Sequence, residues 1–192
     1  LGVPTASFVA LLGSVGVTVG LALQGSLSNF AGGLIIMFLH PFKTGDYIKT
    51  AAEIEGTVTE IGLFYTTLRM ADNKIITIPN GSLSGGNITN YNVLPVRRLS
   101  TTVGIAYEAD AGRAIELLTE LIHSRKPLVN PEKALVYIKE LGESSVVVGL
   151  HYWVKTADYW DEAWSINRAI KETLDANGIA IPFNQLDVHL IR

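Results

Sequence analysis

The chain has 192 residues, a formal net charge of −3 and no cysteine. This length is enough for one medium domain or two small domains besides a membrane span. The small negative charge argues against a broad basic surface for nucleic acid, and the lack of cysteine excludes disulfides and thiolate metal sites. Apolar residues make up 48% of the chain, and their excess lies in the first 42 residues.

Residues 1–42 contain no Asp, Glu, Lys or Arg. Because a helix rises about 1.5 Å per residue, residues 1–23 alone are long enough to cross a hydrocarbon core of about 30 Å. We therefore expect a membrane span. A helix that continued to Phe42 would be about 63 Å long, so we predict a break at Gly25 and a second helix near the membrane surface, ended by Pro41.

Small side chains form two stripes on the predicted span when residues are placed at intervals of about 100°. Such flanks let neighbouring backbones approach closely where no water drives helices together. A helix that packs on both flanks against copies of itself forms a ring. The apolar strip between the flanks, with Val17 and Leu21, then faces the ring's axis and would close a pore by dewetting. An ordinary anchor with incidental glycines is the alternative. One stripe contains Gly13, Gly16 and Gly20, and the other contains Ala10, Ser14, Thr18 and Ala22.

Beyond Lys43 the pattern changes to short segments that alternate apolar and polar residues, as half-buried strands do. Four or five such strands joined by tight turns predict a small all-β, barrel-like domain of the Sm/SH3 class. From about Leu99, strands and helices follow in the order βαββαβ, which is that of a ferredoxin-like α+β domain. Asp110 is the expected N-cap of its first helix, and Gly178 is the residue expected to end its second.

These patterns divide the chain into three parts. Residues 1–42 are predicted to form the pore-lining helix with an interfacial extension, residues 43–98 the β domain, and residues 99–192 the α+β domain. In the last part we predict strands over residues 101–107, 135–141, 145–154 and 187–191, and helices over residues 110–124 and 159–177.

No pattern in the sequence indicates catalysis, a cofactor site or a metal site, and we expect no enzyme. The nucleophile elbow, the phosphate-binding loop and the dinucleotide fingerprint are absent. The acidic residues of the predicted β domain fit a solvated face, while Arg97 and Arg98 fit either a hinge salt bridge or the charged lining of an aqueous space. The histidines, which lack metal-ligand spacing, are His40, His123, His151 and His189. The acidic residues are Asp46, Glu53, Glu55 and Glu60.

A series of short motifs runs in order through nearly the whole chain. Residues 20–29 read GLALQGSLSN, and this ten-residue run is the most specific of the series. It is followed by PF at 41–42, GDY at 45–47, GTV at 56–58, TLR at 67–69, IPNG at 78–81, GNI at 86–88, PVRR at 95–98, IP at 181–182 and DV at 187–188. In these motifs and their spacing, the chain resembles the small-conductance mechanosensitive channel family, the MscS-like proteins.

The resemblance implies a homoheptamer with one pore helix per subunit at the axis, and soluble domains that form a hollow vestibule with side openings. Family members open under bilayer tension and release ions and small solutes on hypo-osmotic shock. The implied partners are other copies of the chain, membrane lipid and permeating solutes, with no nucleic acid and no cofactor. The implied location is the bacterial inner membrane, as a multi-pass protein with its soluble domains in the cytoplasm. Since the family has lipid-facing spans before the pore helix, we expect a fragment that starts at this helix.

The resemblance also assigns roles to single residues. Val17 and Leu21 match the two positions that constrict the pore. Gly25 matches a kink and Gly33 a second point of helix flexing. A contact linked to inactivation is matched by Asn29 with the loop residues Asn80 and Gly81. Helix packing and gating are assigned to Ala10, Gly13, Gly16, Thr18 and Gly20, and contact with the lipid-facing helices to Leu23 and Leu27.

Three positions depart from the best-known pattern of the family. Val17 stands in place of Leu, Thr18 in place of Ala, and His40 in place of Arg, so details of gating are expected to differ. The Thr18 hydroxyl is expected to bond back to its own helix. Two alternatives stay open. One is an MscS-like channel gated mainly by a ligand or partner, and the other is a non-conducting, membrane-anchored scaffold.

Overall fold

The computed structural model describes residues 5–126, 128–186 and 188–189. The chain divides into two compact units, Leu1–Val93 and Leu94–Arg192. The strand that opens the second unit, β6, spans Val96–Ile105, so the predicted boundary between residues 98 and 99 falls inside it. The predicted order of a long helix, an all-β domain and an α+β domain is confirmed.

One helix, α1, spans Thr5–Leu39, so the predicted break into two helices at Gly25 is absent. A glycine inside a helix costs only about 1 kcal/mol relative to alanine. Packing of the last turns, where Gly32, Gly33 and Ile36 are buried, holds the helix beyond that point. The predicted end before Pro41 is confirmed, and His40 there adopts a left-handed backbone with φ of 47°. A kink at Gly25 within the continuous helix stays a prediction.

The 35 residues of α1 have a mean hydropathy of 2.0 over their most apolar stretch, and nothing in the described chain covers that stretch. At about 1.5 Å per residue, the helix is about 52 Å long and exceeds a hydrocarbon core of about 30 Å. By length and composition, α1 is able to cross a membrane. Its apolar surface is therefore suited to lipid or to other helices rather than to water.

Five strands of the first unit form an antiparallel sheet in the order β4-β3-β2-β1-β5. Alternate residues of β2 and β3, such as Val58 and Leu68, point into a core that also receives Ile36 from α1. The core therefore joins the end of α1 to the sheet. The strands are β1 Tyr47–Thr50, β2 Glu55–Ile61, β3 Tyr65–Arg69, β4 Ile75–Pro79 and β5 Ile88–Asn90.

A short helix, α2, spans Asn80–Gly85 between β4 and β5. Local sequence does not predict this helix, because Pro79 and Gly81 are typical turn residues and six residues are too few to show a helical period. Pro79 instead occupies the N-cap position of α2. Leu83 of α2 is buried in the same core as Ile36 of α1.

The second unit has a sheet in which β6 pairs with the whole of one edge of β9, Val146–Lys155. The other edge pairs with β7, Leu128–Val129, and then with β8, Leu135–Leu141. Two helices, α3 Ala111–Ser124 and α4 Tyr159–Ala176, pack on one face of this sheet and close the core.

Both predicted helix signals of the second unit are confirmed. The Asp110 side chain accepts a hydrogen bond from the Arg113 amide at 3.0 Å, as an N-cap should. Gly178 follows α4 with φ of +70°, a left-handed conformation that glycine adopts without strain. The predicted strand over residues 187–191 falls mostly on residues outside the described ranges.

A buried carboxylate holds the second unit's elements together. Glu162 of α4 accepts hydrogen bonds from Arg125 Nε at 2.9 Å and Nη2 at 2.7 Å, and from the Tyr152 hydroxyl at 2.8 Å. Only 2% of Glu162 is exposed. The hydrogen bond to Glu162 raises the pKa of Arg125, while burial and then the same carboxylate raise the pKa of Tyr152. The Glu162 carboxylate thus links the start of α4 to the end of α3 through Arg125 and to strand β9 through Tyr152.

We expect Glu162→Gln to destabilise the second unit by about 1.5–3 kcal/mol, because the shape is kept while the charge-assisted bonds to Arg125 are lost. Hydrogen exchange of the α4 amides in the full-length protein measures this loss. Glu172→Gln, at an exposed position of the same helix, is the matched control and should leave exchange unchanged. Equal exchange rates in the two variants would contradict the assigned role.

Candidate functional site

The glycines of α1 fall into two groups. An added Cβ at Gly32 would lie 2.6 Å from the Asn80 carbonyl oxygen, and one at Gly33 would overlap the Leu63 carbonyl oxygen. These two glycines are therefore required by packing within the chain. At the four glycines nearer the N-terminus of α1, an added Cβ would meet nothing within 4 Å, so packing within the chain gives no reason for glycine there. These four are Gly13, Gly16, Gly20 and Gly25.

The predicted pore residues lie on this uncovered part of α1. Val17 is 64% exposed and Leu21 is 67% exposed. The flank positions Ala10 and Thr18 are exposed as well. The structure thus leaves the strip and both of its flanks uncovered by the other elements of the described chain.

Hydroxyl groups on one flank are satisfied by the helix itself. Thr18 Oγ1 donates to the Ser14 carbonyl oxygen at 2.9 Å, and Ser14 Oγ donates to the Leu11 carbonyl oxygen at 2.8 Å. The predicted back-bond of Thr18 is confirmed. Because both hydroxyl protons are used within the helix, this flank has no side-chain proton to donate to a neighbour.

Leu23 and Leu27, the residues predicted to face lipid-facing helices, border an apolar groove of about 270 Å³. The groove is completed by Ser26 and by the aromatic rings of Phe30 and Phe64, whose centroids are 6.0 Å apart. The groove therefore lies where α1 meets the loop between β2 and β3. The Phe30–Phe64 pair joins residues 34 positions apart in sequence, and sequence reasoning missed it.

The structure brings Asn29 and Gly81 together. The Gly81 amide donates to Asn29 Oδ1 at 2.9 Å, and an added Cβ at Gly81 would lie 2.9 Å from both this oxygen and Ser28 Oγ. Glycine at position 81 therefore allows the start of α2 to touch α1. This contact ties α1 to the β domain.

Asn80 directs its side chain elsewhere, into the β domain. It is fully buried, accepts a hydrogen bond from Thr66 Oγ1 at 2.7 Å and donates from Nδ2 to the Gly62 carbonyl oxygen at 2.8 Å. The same amide nitrogen would lie 2.7 Å from a Cβ at Gly33. Asn80 thus fixes the loop against which α1 packs, a role that its position in a presumed turn did not reveal.

The turn after α1 corrects one expectation. Asp46, which was assigned to a solvated face, is half-buried and accepts hydrogen bonds from the Lys43 amide at 2.9 Å and from Asn90 Nδ2 at 2.7 Å. Asn90 Nδ2 also lies 3.3 Å from the Pro41 carbonyl oxygen. The carboxylate therefore shapes the junction between α1 and β1. The other three acidic residues, Glu53, Glu55 and Glu60, are exposed.

Arg97 lies over the ring of Tyr159, with its guanidinium carbon 3.6 Å from the ring centroid. This is a cation–π contact between β6 and the start of α4. Arg98 is exposed on the neighbouring position of β6. Among the described residues, no group of three or more His, Asp or Glu side chains is placed to hold a metal ion.

Two family models match the chain. The model described as the mechanosensitive ion channel beta-domain matches residues 25–93, and the model described as the C-terminal part of the mechanosensitive ion channel MscS matches residues 99–181. A small-conductance mechanosensitive channel of Helicobacter pylori is 36% identical over 189 residues, which are 98% of this chain and 69% of that protein. The chain belongs to the MscS family.

Two further comparisons agree with membership of the MscS family. A small-conductance mechanosensitive channel of Edwardsiella ictaluri is 41% identical over 177 residues, covering 92% of this chain and 62% of that protein. The crystal structure of Helicobacter pylori MscS in its closed state superposes with a TM-score of 0.93 at 35% identity, covering 100% of this chain and 76% of that chain. The chain thus spans about two thirds of the length of the Edwardsiella ictaluri and Helicobacter pylori channels.

Proposed function

We propose that this MscS-family chain forms the pore helix and soluble domains of an ion channel opened by membrane tension. The proposal rests on one observation: no other element of the described chain covers the N-terminal half of α1. Three glycines on one stripe, Gly13, Gly16 and Gly20, have no contact within the chain that requires them. Small residues on two flanks of an apolar helix are what close packing against copies of the same helix demands.

The proposed assembly is a homoheptameric ring with α1 of each subunit at the axis. Val17 and Leu21 then point at a common centre, and their repeated apolar side chains keep water out of the closed pore. Tension favours the state with the larger area in the membrane plane. As the flanks slide past each other, the rings of Val17 and Leu21 widen and the pore fills with water.

We assign supporting roles to the remaining predicted residues. Leu23 and Leu27 contact lipid-facing helices across the groove that they border, and Gly25 and Gly33 permit bending of α1 in the cycle. The hydrogen bond between the Gly81 amide and Asn29 couples α1 to the β domain during inactivation, with Asn80 holding the loop beneath.

The channel is proposed to act in the bacterial inner membrane as a multi-pass protein, with its soluble domains forming a cytoplasmic vestibule. Its partners are then other copies of the chain, membrane lipid and the ions and small solutes that leave the cell on hypo-osmotic shock. No catalytic step is proposed, because transport through a wetted pore needs no covalent chemistry.

The deciding experiment is patch recording of the full-length protein in liposomes of plain lipid under a pressure ramp. We expect currents above a threshold tension without any added factor, and an oligomer of about seven subunits in detergent. Currents that need an added cytoplasmic factor would favour a ligand-gated channel instead. A monomer that conducts nothing up to the rupture tension would favour the scaffold.

Gly20→Val should raise the opening tension, because each subunit would carry a branched side chain at a helix contact that only a small residue fits. The same pressure ramps measure the threshold. Val19→Leu, which adds bulk about 100° further round the helix, is the control and should shift the threshold much less. A threshold unaffected by Gly20→Val would show that this stripe is not a packing surface.

A further inference from the structure

One face of the second unit's sheet carries none of the described helices. In β9, Val148, Leu150 and Tyr152 are buried in the core that α3 and α4 close. Successive side chains of a strand point to opposite faces, so Gly149, His151 and Trp153 lie on the other face. We call this face of β6, β8 and β9, which none of the described helices covers, the open face.

Three strands place polar side chains together on the open face. Arg98 of β6 pairs with Trp153, and Ser100 pairs with His151, so Arg98 is diagonal to His151. Cross-strand neighbours of this kind are about 5–8 Å apart at Cβ, which is within reach of an arginine side chain. The register therefore makes Arg98, Ser100 and His151 neighbours on the open face.

Tyr137 of β8 completes the cluster. Its hydroxyl oxygen is 3.3 Å from His151 Nε2, and the two rings meet edge to face with centroids 5.2 Å apart. Tyr137 pairs with Gly149, where an added Cβ would lie 2.9 Å from the tyrosine ring. Glycine at position 149 thus lets the Tyr137 ring lie across β9 and reach His151.

The cluster is electropositive. Burial, followed by the charges of Arg98 and Lys139, lowers the pKa of His151. In the part of the chain that the structure describes, neither Arg98 nor Lys139 forms an ion pair with a carboxylate. The other charged residues on these strands are Arg97 of β6, which lies over the Tyr159 ring, Glu140, at the β8 bulge opposite Val147, and Lys155, at the exposed end of β9.

We propose that Arg98, Ser100, Tyr137 and His151 form a proton-linked binding site for small oxyanions. Arg98 supplies planar N–H donors, Ser100 and Tyr137 supply hydroxyls, and His151 supplies a second cation once it is protonated. Binding and protonation favour each other by linkage, so a bound anion raises the pKa of His151 and acid strengthens anion binding. This proposal does not rest on the channel function.

The sign of the pH dependence follows from the lowered pKa. Above the ordinary histidine pKa of 6.5, His151 is neutral and only Arg98 and Lys139 attract an anion. As pH falls through the lowered pKa, the imidazolium forms and affinity rises. Sulfate is the suitable probe, because it stays a dianion over this range and its own charge does not change.

The test uses the full-length protein in detergent micelles with carbon-13 at the histidine ring Cε1. The His151 resonance, identified by its loss in His151→Gln, is titrated with pH in sodium sulfate and in sodium chloride of equal ionic strength. We expect sulfate to raise the midpoint of His151 by about 0.5 pH unit more than chloride, which equals about a threefold preference for the charged form. His123 of the same unit is the internal reference.

Arg98→Gln should remove the sulfate-specific shift of His151, while Arg168→Gln, at an exposed arginine of α4, should preserve it. Both positions are exposed, so both variants are expected to fold, which size-exclusion profiles check. Equal midpoints in sulfate and chloride would mean screening only and would overturn the site. A sulfate-specific shift that survives Arg98→Gln would overturn it as well.

Discussion

Leu21→Ser should give a channel that conducts without applied tension. Leu21 is 67% exposed on the strip of α1 that we place at the pore axis, one helical turn from Val17. Burying a leucine away from water is worth about 2 kcal/mol, and a ring of subunits loses this preference once in every copy. The serine hydroxyl also binds water. The closed pore should therefore fill, and the open state should be favoured at rest.

Single-channel recording at zero applied pressure measures this leak, and slowed growth of cells that express the variant is a second readout. Val19→Ser is the matched control. Val19 is also apolar and 50% exposed, but it lies about 160° from both Val17 and Leu21 around the helix. It should leave the closed pore dry. If Val19→Ser leaks as much as Leu21→Ser, the strip between the glycine flanks does not face the axis.

Gly33→Ala should detach the last turns of α1 from the β domain. The new methyl group would overlap the Leu63 carbonyl oxygen and lie 2.7 Å from Asn80 Nδ2. Leu63 belongs to the loop between β2 and β3, which Asn80 of α2 holds through a hydrogen bond to the Gly62 carbonyl oxygen. Overpacking of this kind costs about 1–3 kcal/mol where side chains give way, and more where backbone must move. The expected cost therefore lies at or above the upper end of that range.

Gly25→Ala is the control for this prediction, because an added Cβ there meets nothing within 4 Å. It should be neutral or stabilise α1 by up to about 1 kcal/mol through helix propensity alone. Hydrogen exchange over residues 28–36 and 80–85 of the full-length protein separates the two variants. Exchange in both segments should accelerate in Gly33→Ala only. Unchanged exchange in Gly33→Ala would show that the close approach is not needed for docking.

Local sequence signals predicted the regular elements well. The alternation in residues 55–61 coincides with β2, because one face of that strand is buried and the other is not. The strand predicted over residues 135–141 coincides with β8. The N-cap at Asp110 and the glycine after α4 were also found, since each depends on a single residue and its nearest neighbours. The resemblance to MscS channels, carried by motifs along the chain, gave the correct family.

Features that depend on distant residues were missed. The residues next to Glu162 in sequence do not indicate that Arg125, 37 positions earlier, forms a buried ion pair with it. Asn80 looks like a turn residue, yet Thr66 and Gly62 make it a buried hydrogen-bonding centre. The break predicted at Gly25 was wrong because tertiary packing further along α1 outweighs a small local cost.

The inward use of hydroxyls on α1 has a consequence for how helices of this kind move. Ser14 and Thr18 each donate their proton to a carbonyl three or four residues earlier in their own chain. In the proposed ring, a neighbouring helix would therefore receive no side-chain proton from this flank, so no hydrogen bond donated by Ser14 or Thr18 would break when it shifts lengthwise. Resistance to the shift would then come mainly from the shapes of the side chains in contact, and it would be small where a side chain is a single methyl group, as at Ala10 and Ala22.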